Sequence, residues 1–301
     1  MATDKPTVTT DIDAIASACV HDPKYLASQR AQIVHRVELA EHWGIFPGAR
    51  VLELGCGQGD CTAVLATLVG PEGHVTAVDP GALDYGAPVT LGQAQSHLSN
   101  APFGSRITWV QADPVTFIET SAAEQKPKYD FAILAHCLWY FSTPETVSRT
   151  FAALRGVASK ICVAEWGLST ARAGPSAVPH LLTVLAVAAL ECRKASSLAN
   201  VRTVLAPAPI TALAEKSGLH LQSETTVAPG EGLQDGYWEA MMLLMPSWQK
   251  DVDEHVKDQR ERAVVLALRD AAKASIDALG DLKSVRSMDV WSAVFTPTQD
   301  A

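Results

Sequence analysis

The stretch that decides the fold is Val51-Leu52-Glu53-Leu54-Gly55-Cys56-Gly57-Gln58-Gly59-Asp60. Its first four residues, apolar except for Glu53, fit a short buried strand ending at Leu54. Gly55, Gly57 and Gly59 then let the backbone turn sharply and approach a ligand without Cβ clashes. The next helix points its N-terminus, with free N–H groups, at that ligand. A dinucleotide site asks for G-x-G-x-x-G; this chain has Asp60 in place of that third glycine. A pyrophosphate gains from the extra close approach, whereas a ligand without phosphate does not need it. Glu53 strengthens the reading, because a carboxylate inside a strand is costly unless it is paired or hydrogen-bonded.

Working outward, the pattern alternates short apolar strands with helices. Pro23 to Trp43 is helical in spacing and ends before Pro47-Gly48. ARVLEL is the first strand, followed by a helix from about Asp60 to Val69. HVTAVD is the second strand, with a helix over Pro88 to Leu98. RITWVQAD is the third, YDFAILAHC the fourth and SKICVAEW the fifth, with a helix over Pro144 to Leu154 between the last two. Such alternation predicts a parallel sheet covered on both faces. After the fifth strand the rhythm breaks. Pro175 to Asn200 reads as inserted helix, Pro207 to Ser217 as a helix and LHLQSETTV as a sixth strand. Asp235 to Leu279 is mostly helical with a break at Pro246, and SMDVWSAVF closes as a seventh strand. In that strand Val290, Ser292 and Val294 alternate with Trp291, Ala293 and Phe295, as β geometry requires.

Two carboxylates fall at successive strand ends. Asp79 ends the second strand, where Rossmann-like sheets meet ribose hydroxyls; by itself it reads equally as a turn residue in Asp79-Pro80-Gly81. Asp113, in Gln111-Ala112-Asp113-Pro114, reads either as an acceptor for an adenine amine or as a helix cap. The conjunction of the glycines with both acids favours a nucleoside site.

Composition narrows the partners. The 301 residues are 48% hydrophobic and 19% charged, with net charge −9, so a sizeable core is available and a disordered chain is excluded. Lys and Arg are scattered, which argues against nucleic acid and anionic membranes as partners. The longest apolar stretch, Ala177 to Leu190, contains Pro179 and His180 and is too short to span a bilayer. The N-terminus lacks the apolar run of a signal peptide. The six cysteines show no paired metal spacing, and reduced thiols in the cytoplasm are the simplest reading.

VLELGCGQGD, TAVDP, VQADP and YDFAILAHCLWYF resemble the successive motifs of the class I S-adenosylmethionine-dependent methyltransferases, over about Ala49 to Trp166. The resemblance implies a Rossmann-like α/β fold with seven mostly parallel strands, the last antiparallel, helices on both faces and helical insertions after strands five and six. It implies S-adenosyl-L-methionine as cofactor and S-adenosyl-L-homocysteine as product. The glycine loop (Glu53, Gly55, Cys56, Gly57, Gly59) would pass under the methionine part, Asp79 would hold the ribose, and Ala112, Asp113 and Pro114 would frame adenine. The backbone of Ala135 would meet the methionyl amine, and Tyr25 would cap the cofactor from the first helix. The expected organisation is an N-terminal helical cap over 1–47 and a methyltransferase domain over 48–301, with lid segments at about 170–205 and 233–282. Where a helix usually comes promptly after the second-strand acid, this chain has GALDYGAPVT.

Methyl transfer needs a nucleophile aimed at a sulfonium methyl and a place for its proton. His136, just beyond the fourth strand, reads as that base or as a pocket residue. Trp139, Tyr140 and Phe141 line an acceptor pocket or seat the next helix. Glu165 orients the acceptor or caps the segment after the fifth strand, with Trp166 on the same rim. His21 and His180 are the other histidines whose proximity to the pocket matters. Met241, Met242 and Met245 form either an adaptable apolar wall or plain helix packing. Ala135-His136-Cys137-Leu138 lacks the motif of amide and base-nitrogen methylation, Cys137 reads as a buried thiol, and no carboxylate cluster calls for a metal. A small-molecule acceptor methylated at O, N or S is expected. Alternatives are a cofactor-binding relative with non-methylating chemistry, a non-enzymatic binding subunit, and a protein or RNA methyltransferase.

Overall fold

A computed structural model describes residues 10–19, 22–123, 128–197 and 199–298. Seven strands form one sheet: β1 (Arg50–Leu54), β2 (His74–Asp79), β3 (Ile107–Gln111), β4 (Tyr129–Ala135), β5 (Ala158–Trp166), β6 (Leu219–Val227) and β7 (Val290–Pro297), in the order β3-β2-β1-β4-β5-β7-β6. The sheet is mostly parallel, with the last strand antiparallel and helical insertions after strands five and six. Each of the seven strands read from the sequence is present. Val51, Leu52 and Leu54 are wholly buried, as a strand covered on both faces demands.

Register decides where the site falls. Parallel pairing sets Leu54 opposite Val78 and Asp79 opposite Gln111. The carboxyl ends of β1, β2 and β3 therefore lie side by side, which is where open α/β sheets take ligands.

The chain divides into two compact units, one of Met1–Ala135, Ala153–Cys162 and Val294–Ala301, the other of His136–Ala152 and Val163–Ala293. In the first, helices α1 (Ile12–Cys19) and α2 (Leu26–Trp43) pack against α3 (Asp60–Leu68), and α1 also meets α4 (Leu91–Ser99). Helix α4 opens on a capping box between Thr90 and Gln93, three residues later than the sequence pattern places its start. Helix α5 (Pro114–Ala123) occupies a segment where the sequence reading has no helix. Its Val115, Thr116, Ile118 and Thr120 are β-branched and weak helix formers, so the tertiary context and the Asp113 cap decide it. Helix α1 is likewise absent from the sequence reading.

The second unit holds α6 (Pro144–Leu154), α7 (Val178–Glu191), α8 (Pro207–Lys216), α9 (Asp235–Leu243), α10 (Pro246–His255) and α11 (Gln259–Leu279). Pro246 separates α9 from α10, and Asp258 caps α11 by accepting from the N–H groups of Arg260 and Glu261. Ala186 and Leu190 of α7, Leu243 of α9, Trp248 and Val252 of α10 and Val265 and Ala272 of α11 share one core cluster. The two insertions, far apart in sequence, thus bury a common apolar face. Among the described residues no helix is long and apolar enough to cross a membrane.

Candidate active site

The glycine loop is built from β1 outward. Gly55 N–H donates to Val78 O at 2.8 Å, so the turn begins while still tied to β2. Gly57, at φ +52°, and Gly59, at φ +96°, take left-handed backbone that side chains resist. A Cβ on Gly57 would meet nothing within 4 Å, whereas one on Gly59 would run into Leu98 and Trp109. Gly57 therefore leaves bare main chain facing open space, and Gly59 is needed for packing.

Asp79 ties this loop to the next one. Its Oδ2 accepts from Gly57 N–H and its Oδ1 from Gly81 N–H, both at 2.8 Å. A carboxylate has about four acceptor positions, so two remain for a ligand's hydroxyls. Gln95 Nε2 donates to Gly57 O at 3.0 Å and Gln58 Nε2 to Val89 O at 2.7 Å. These bonds pin α4 and the GALDYGAPVT segment before it against the glycine turn. Ala112 N–H donates to Asp79 O at 3.1 Å, which brings the start of Ala112-Asp113-Pro114 to the same edge. Asp113 Oδ1 accepts from both Thr116 N–H and Thr116 Oγ1 at 2.9 Å, capping α5.

Glu53 lies beneath the loop, buried, with Thr62 Oγ1 donating to its Oε2 at 2.6 Å. Burial pushes its carboxyl up to about 7, against the pull of Thr62 and Cys61. Cys56 is buried as well. On the other side Gln29 Nε2 of α2 donates to Asp60 Oδ1 at 2.6 Å, at the N-terminus of α3. That bond sets the first turn of α2 beside the loop. Tyr25, just before this turn, is 46% exposed, with Lys24 Nζ 4.7 Å from its ring centre. Ala135 is the last residue of β4.

The second unit gathers another set. His136 takes φ +53° although it is not glycine, a strained setting that clusters at functional sites. Its N–H donates to Ala164 O at 2.8 Å. Its Nδ1 stands 3.7 Å from Glu165 Oε1, and its ring 4.5 Å from that of Trp166. Glu165 is buried and accepts from the N–H groups of Leu138, Trp139 and Trp166. Burial pushes it up to about 7 although those three bonds favour its charged form. Trp139 is core: it is 1% exposed, and its indole N–H donates to Leu205 O at 3.0 Å. Tyr140 shows 45% of its surface. Its phenol is held above the ordinary value by burial of the hydroxyl end, then by Glu165, Glu239 and Asp235.

His180 joins this set, its ring edge-on to Trp166 at 4.9 Å. His21 lies outside the described residues. Glu239 and Asp235 of α9 bear on this set in a way the sequence does not reveal, because in DGYWEAMML nothing but tertiary contact distinguishes them from a solvated face. Of the methionines weighed as an apolar wall, Met242 and Met245 are largely exposed. Among the described residues no group of three or more His, Cys, Asp or Glu side chains is placed to hold a metal ion.

Comparison with known proteins places the chain in a family. Residues 24–167 match the profile of a family described as "Methyltransferase domain". The solved structure of a cyclopropane-fatty-acyl-phospholipid synthase-like protein from Lactobacillus casei is 30% identical, covers 95% of this chain and 98% of its own, and superimposes with a TM-score of 0.81. The methyltransferase phomM' of Diaporthe leptostromiformis is 27% identical over 81% of this chain and 72% of its own length. A putative sarcosine dimethylglycine methyltransferase from Galdieria sulphuraria, 11% identical with a TM-score of 0.51 over 93% of this chain and 92% of its own, shares the fold alone. The chain belongs to the class I S-adenosylmethionine-dependent methyltransferases. It is an enzyme that uses S-adenosylmethionine to methylate a small-molecule acceptor.

Proposed function

We propose that the first unit holds the cofactor through bare main chain at Gly55–Gly59 and the Asp79 carboxylate, and that His136 removes the acceptor's proton in the second. The observation that carries the cofactor half is Asp79. It is anchored by two backbone N–H groups beside a glycine whose Cβ would point into open space. Residues so fixed meet a ribose without reorganising, and that preorganisation favours binding. Ala112, Asp113 and Pro114 frame the adenine in this reading, Asp113 through the oxygen that its capping bonds leave over. Ala135 offers backbone to the methionyl end, and Tyr25 covers it from α2. Glu53 acts from below by fastening α3 to β1, and Cys56 fills the space under the turn.

S-adenosylmethionine supplies an electrophilic methyl on a sulfonium; the chain supplies position and proton handling. His136 is the base, its ring set by Trp166 and by Glu165. Glu165 is a positioning residue that holds the Leu138–Tyr140 turn with the two bonds it accepts from Leu138 and Trp139 and so fixes Tyr140. Trp166 and Tyr140 border the acceptor, and Trp139 is the core support beneath them. Residues 1–47 act as the cap, and the segments at 170–205 and 233–282, which hold α7 and α9 to α11, select the acceptor. A cytoplasmic setting is supported by the cysteines, all six of which are free.

Two variants test this. Asp79→Ala is expected to weaken S-adenosylhomocysteine binding by about tenfold or more, the loss of charge-assisted bonds, while circular dichroism stays unchanged. Unaltered affinity removes the ribose assignment. His136→Ala is expected to lower kcat by about 10²-fold or more, the usual share of a general base, with cofactor affinity kept. Full turnover removes His136 as base.

A further inference from the structure

His180 is wholly buried, and its two ring nitrogens face different partners. Met288 N–H donates to Nδ1 at 2.9 Å. A ring that accepts at Nδ1 carries its proton on Nε2, and Nε2 stands 3.3 Å from Glu239 Oε2. The histidine ring, pressed edge-on against Trp166, therefore holds its Nε2 edge at ion-pair distance from one oxygen of Glu239, outside hydrogen-bond geometry. The Glu239 side chain is 27% exposed, so it is open in part to an incoming group.

Three buried or anchored groups respond to Glu239 at once: His180 through this contact, and Glu165 and Tyr140, both of which its charge pushes up. Asp235, one helical turn earlier on α9, acts on Tyr140 in the same direction. The accessible members of the set are thus an oriented carboxylate and the half-exposed ring of Tyr140. Carboxylate and aromatic faces both attract cations and repel anions.

We propose that Glu239, oriented by His180, receives the acceptor, and that the acceptor is an amine arriving as its ammonium ion. The proposal rests on the assignment of the second unit to the acceptor and extends it to a substrate class. An ammonium has no lone pair with which to attack. Glu239 holds the ion through one N–H. Another N–H bond breaks with the electron pair left on nitrogen, its proton passes to His136, and the freed pair becomes the nucleophile of the established transfer. The methylated nitrogen then sheds a proton to a Glu239 oxygen and on to solvent. Glu239 touches the acceptor; His180 acts through it as a positioning residue. A carboxylate serving only to tether α9 to α7 would show no preference among acceptors.

Benzylamine and benzyl alcohol, alike in shape and different in charge, are the probes, titrated in the presence of S-adenosylhomocysteine. The wild-type chain is expected to bind the amine about tenfold more tightly, the margin of one charge-assisted hydrogen bond. Glu239→Gln should erase that margin, and Glu231→Gln, at an exposed carboxylate of the same unit, should keep it. His180→Gln retains a donor and should restore most of the preference that His180→Leu loses. Equal affinity of the wild type for both probes, or a preference that survives Glu239→Gln, overturns the proposal. Should S-adenosylhomocysteine itself fail to bind the wild type, the methyltransferase assignment falls first, and this one with it.

Discussion

A methyl group added at Gly59 would come within 2.6 Å of Leu98 Cδ1 and 2.7 Å of Trp109 Cη2, on backbone at φ +96°. The same methyl at Gly57 would meet nothing within 4 Å. Two glycines of one motif therefore differ: Gly59 is needed for packing, and Gly57 faces open space that the proposed site gives to the ligand. Gly59→Ala is expected to lower unfolding stability by roughly 1–3 kcal/mol, as overpacking does. Gly57→Ala should cost about 1 kcal/mol for its left-handed backbone and weaken S-adenosylhomocysteine binding more than Gly59→Ala does. Urea unfolding and calorimetric titration of both variants check this, and equal losses in the two assays would remove the distinction. The residue scale also shows what the sequence hides. Asp79 is legible because it ends a strand at a fixed distance from the glycines. Glu239 is not, because its meaning comes from a histidine 59 residues earlier in the chain, brought near only by folding.

At the scale of elements, strands are easier to read than helices. Short apolar runs bounded by Gly, Pro or Asp mark β1 to β5, and β6 coincides with LHLQSETTV. In β7, Val290 to Phe295 are all buried, Ser292 included, because the strand lies inside the sheet between β5 and β6. Helix α5 escapes because its β-branched residues mimic a strand. The join between β1 and α3 carries a pH dependence. Glu53 titrates near 7 in the folded chain, against 4.5 for an ordinary glutamate. Between those values the folded state holds a proton that the unfolded state has lost. Stability is therefore greatest below 4.5 as far as this group is concerned, falls as pH rises through the window, and is lower by at most roughly 3 kcal/mol above 7. Glu53→Gln keeps an acceptor for Thr62 and removes the titration. Its unfolding midpoint in urea should change less between pH 5 and pH 8 than that of the wild type. Glu165 contributes a slope of the same sign, so some dependence persists. An unchanged difference between the two pH values would show that Glu53 is ionised throughout.

For the whole molecule, the net charge of −9 and the carboxylates around Tyr140 and His180 work in the same direction, toward attraction of cations. The thiols offer a molecule-wide check on the packing. Cys56, Cys61, Cys137 and Cys162 are buried, Cys19 is partly so, and Cys192 is exposed. Burial also holds Cys19, Cys61 and Cys162 above the ordinary thiol range, which keeps them from the reactive thiolate form. A chromogenic disulfide reagent should consume one thiol quickly in the native protein and the rest only on unfolding. Cys192→Ser should abolish the fast phase, and a fast phase of several thiols would contradict the burial of Cys56, Cys61, Cys137 and Cys162.

The strand order β5-β7-β6 also has a bearing on how the chain is made. Strand β6 reaches the rest of the sheet only through β7, and β7 begins at Val290, more than sixty residues later. On the ribosome, Leu219–Val227 emerges long before the neighbour it must zip against. The nascent polypeptide thus carries an unmatched edge through the synthesis of α9, α10 and α11. That edge is the polar-rich LHLQSETTV, whose Gln222, Ser223, Glu224 and Thr225 make it a poor template for a stray strand during the wait.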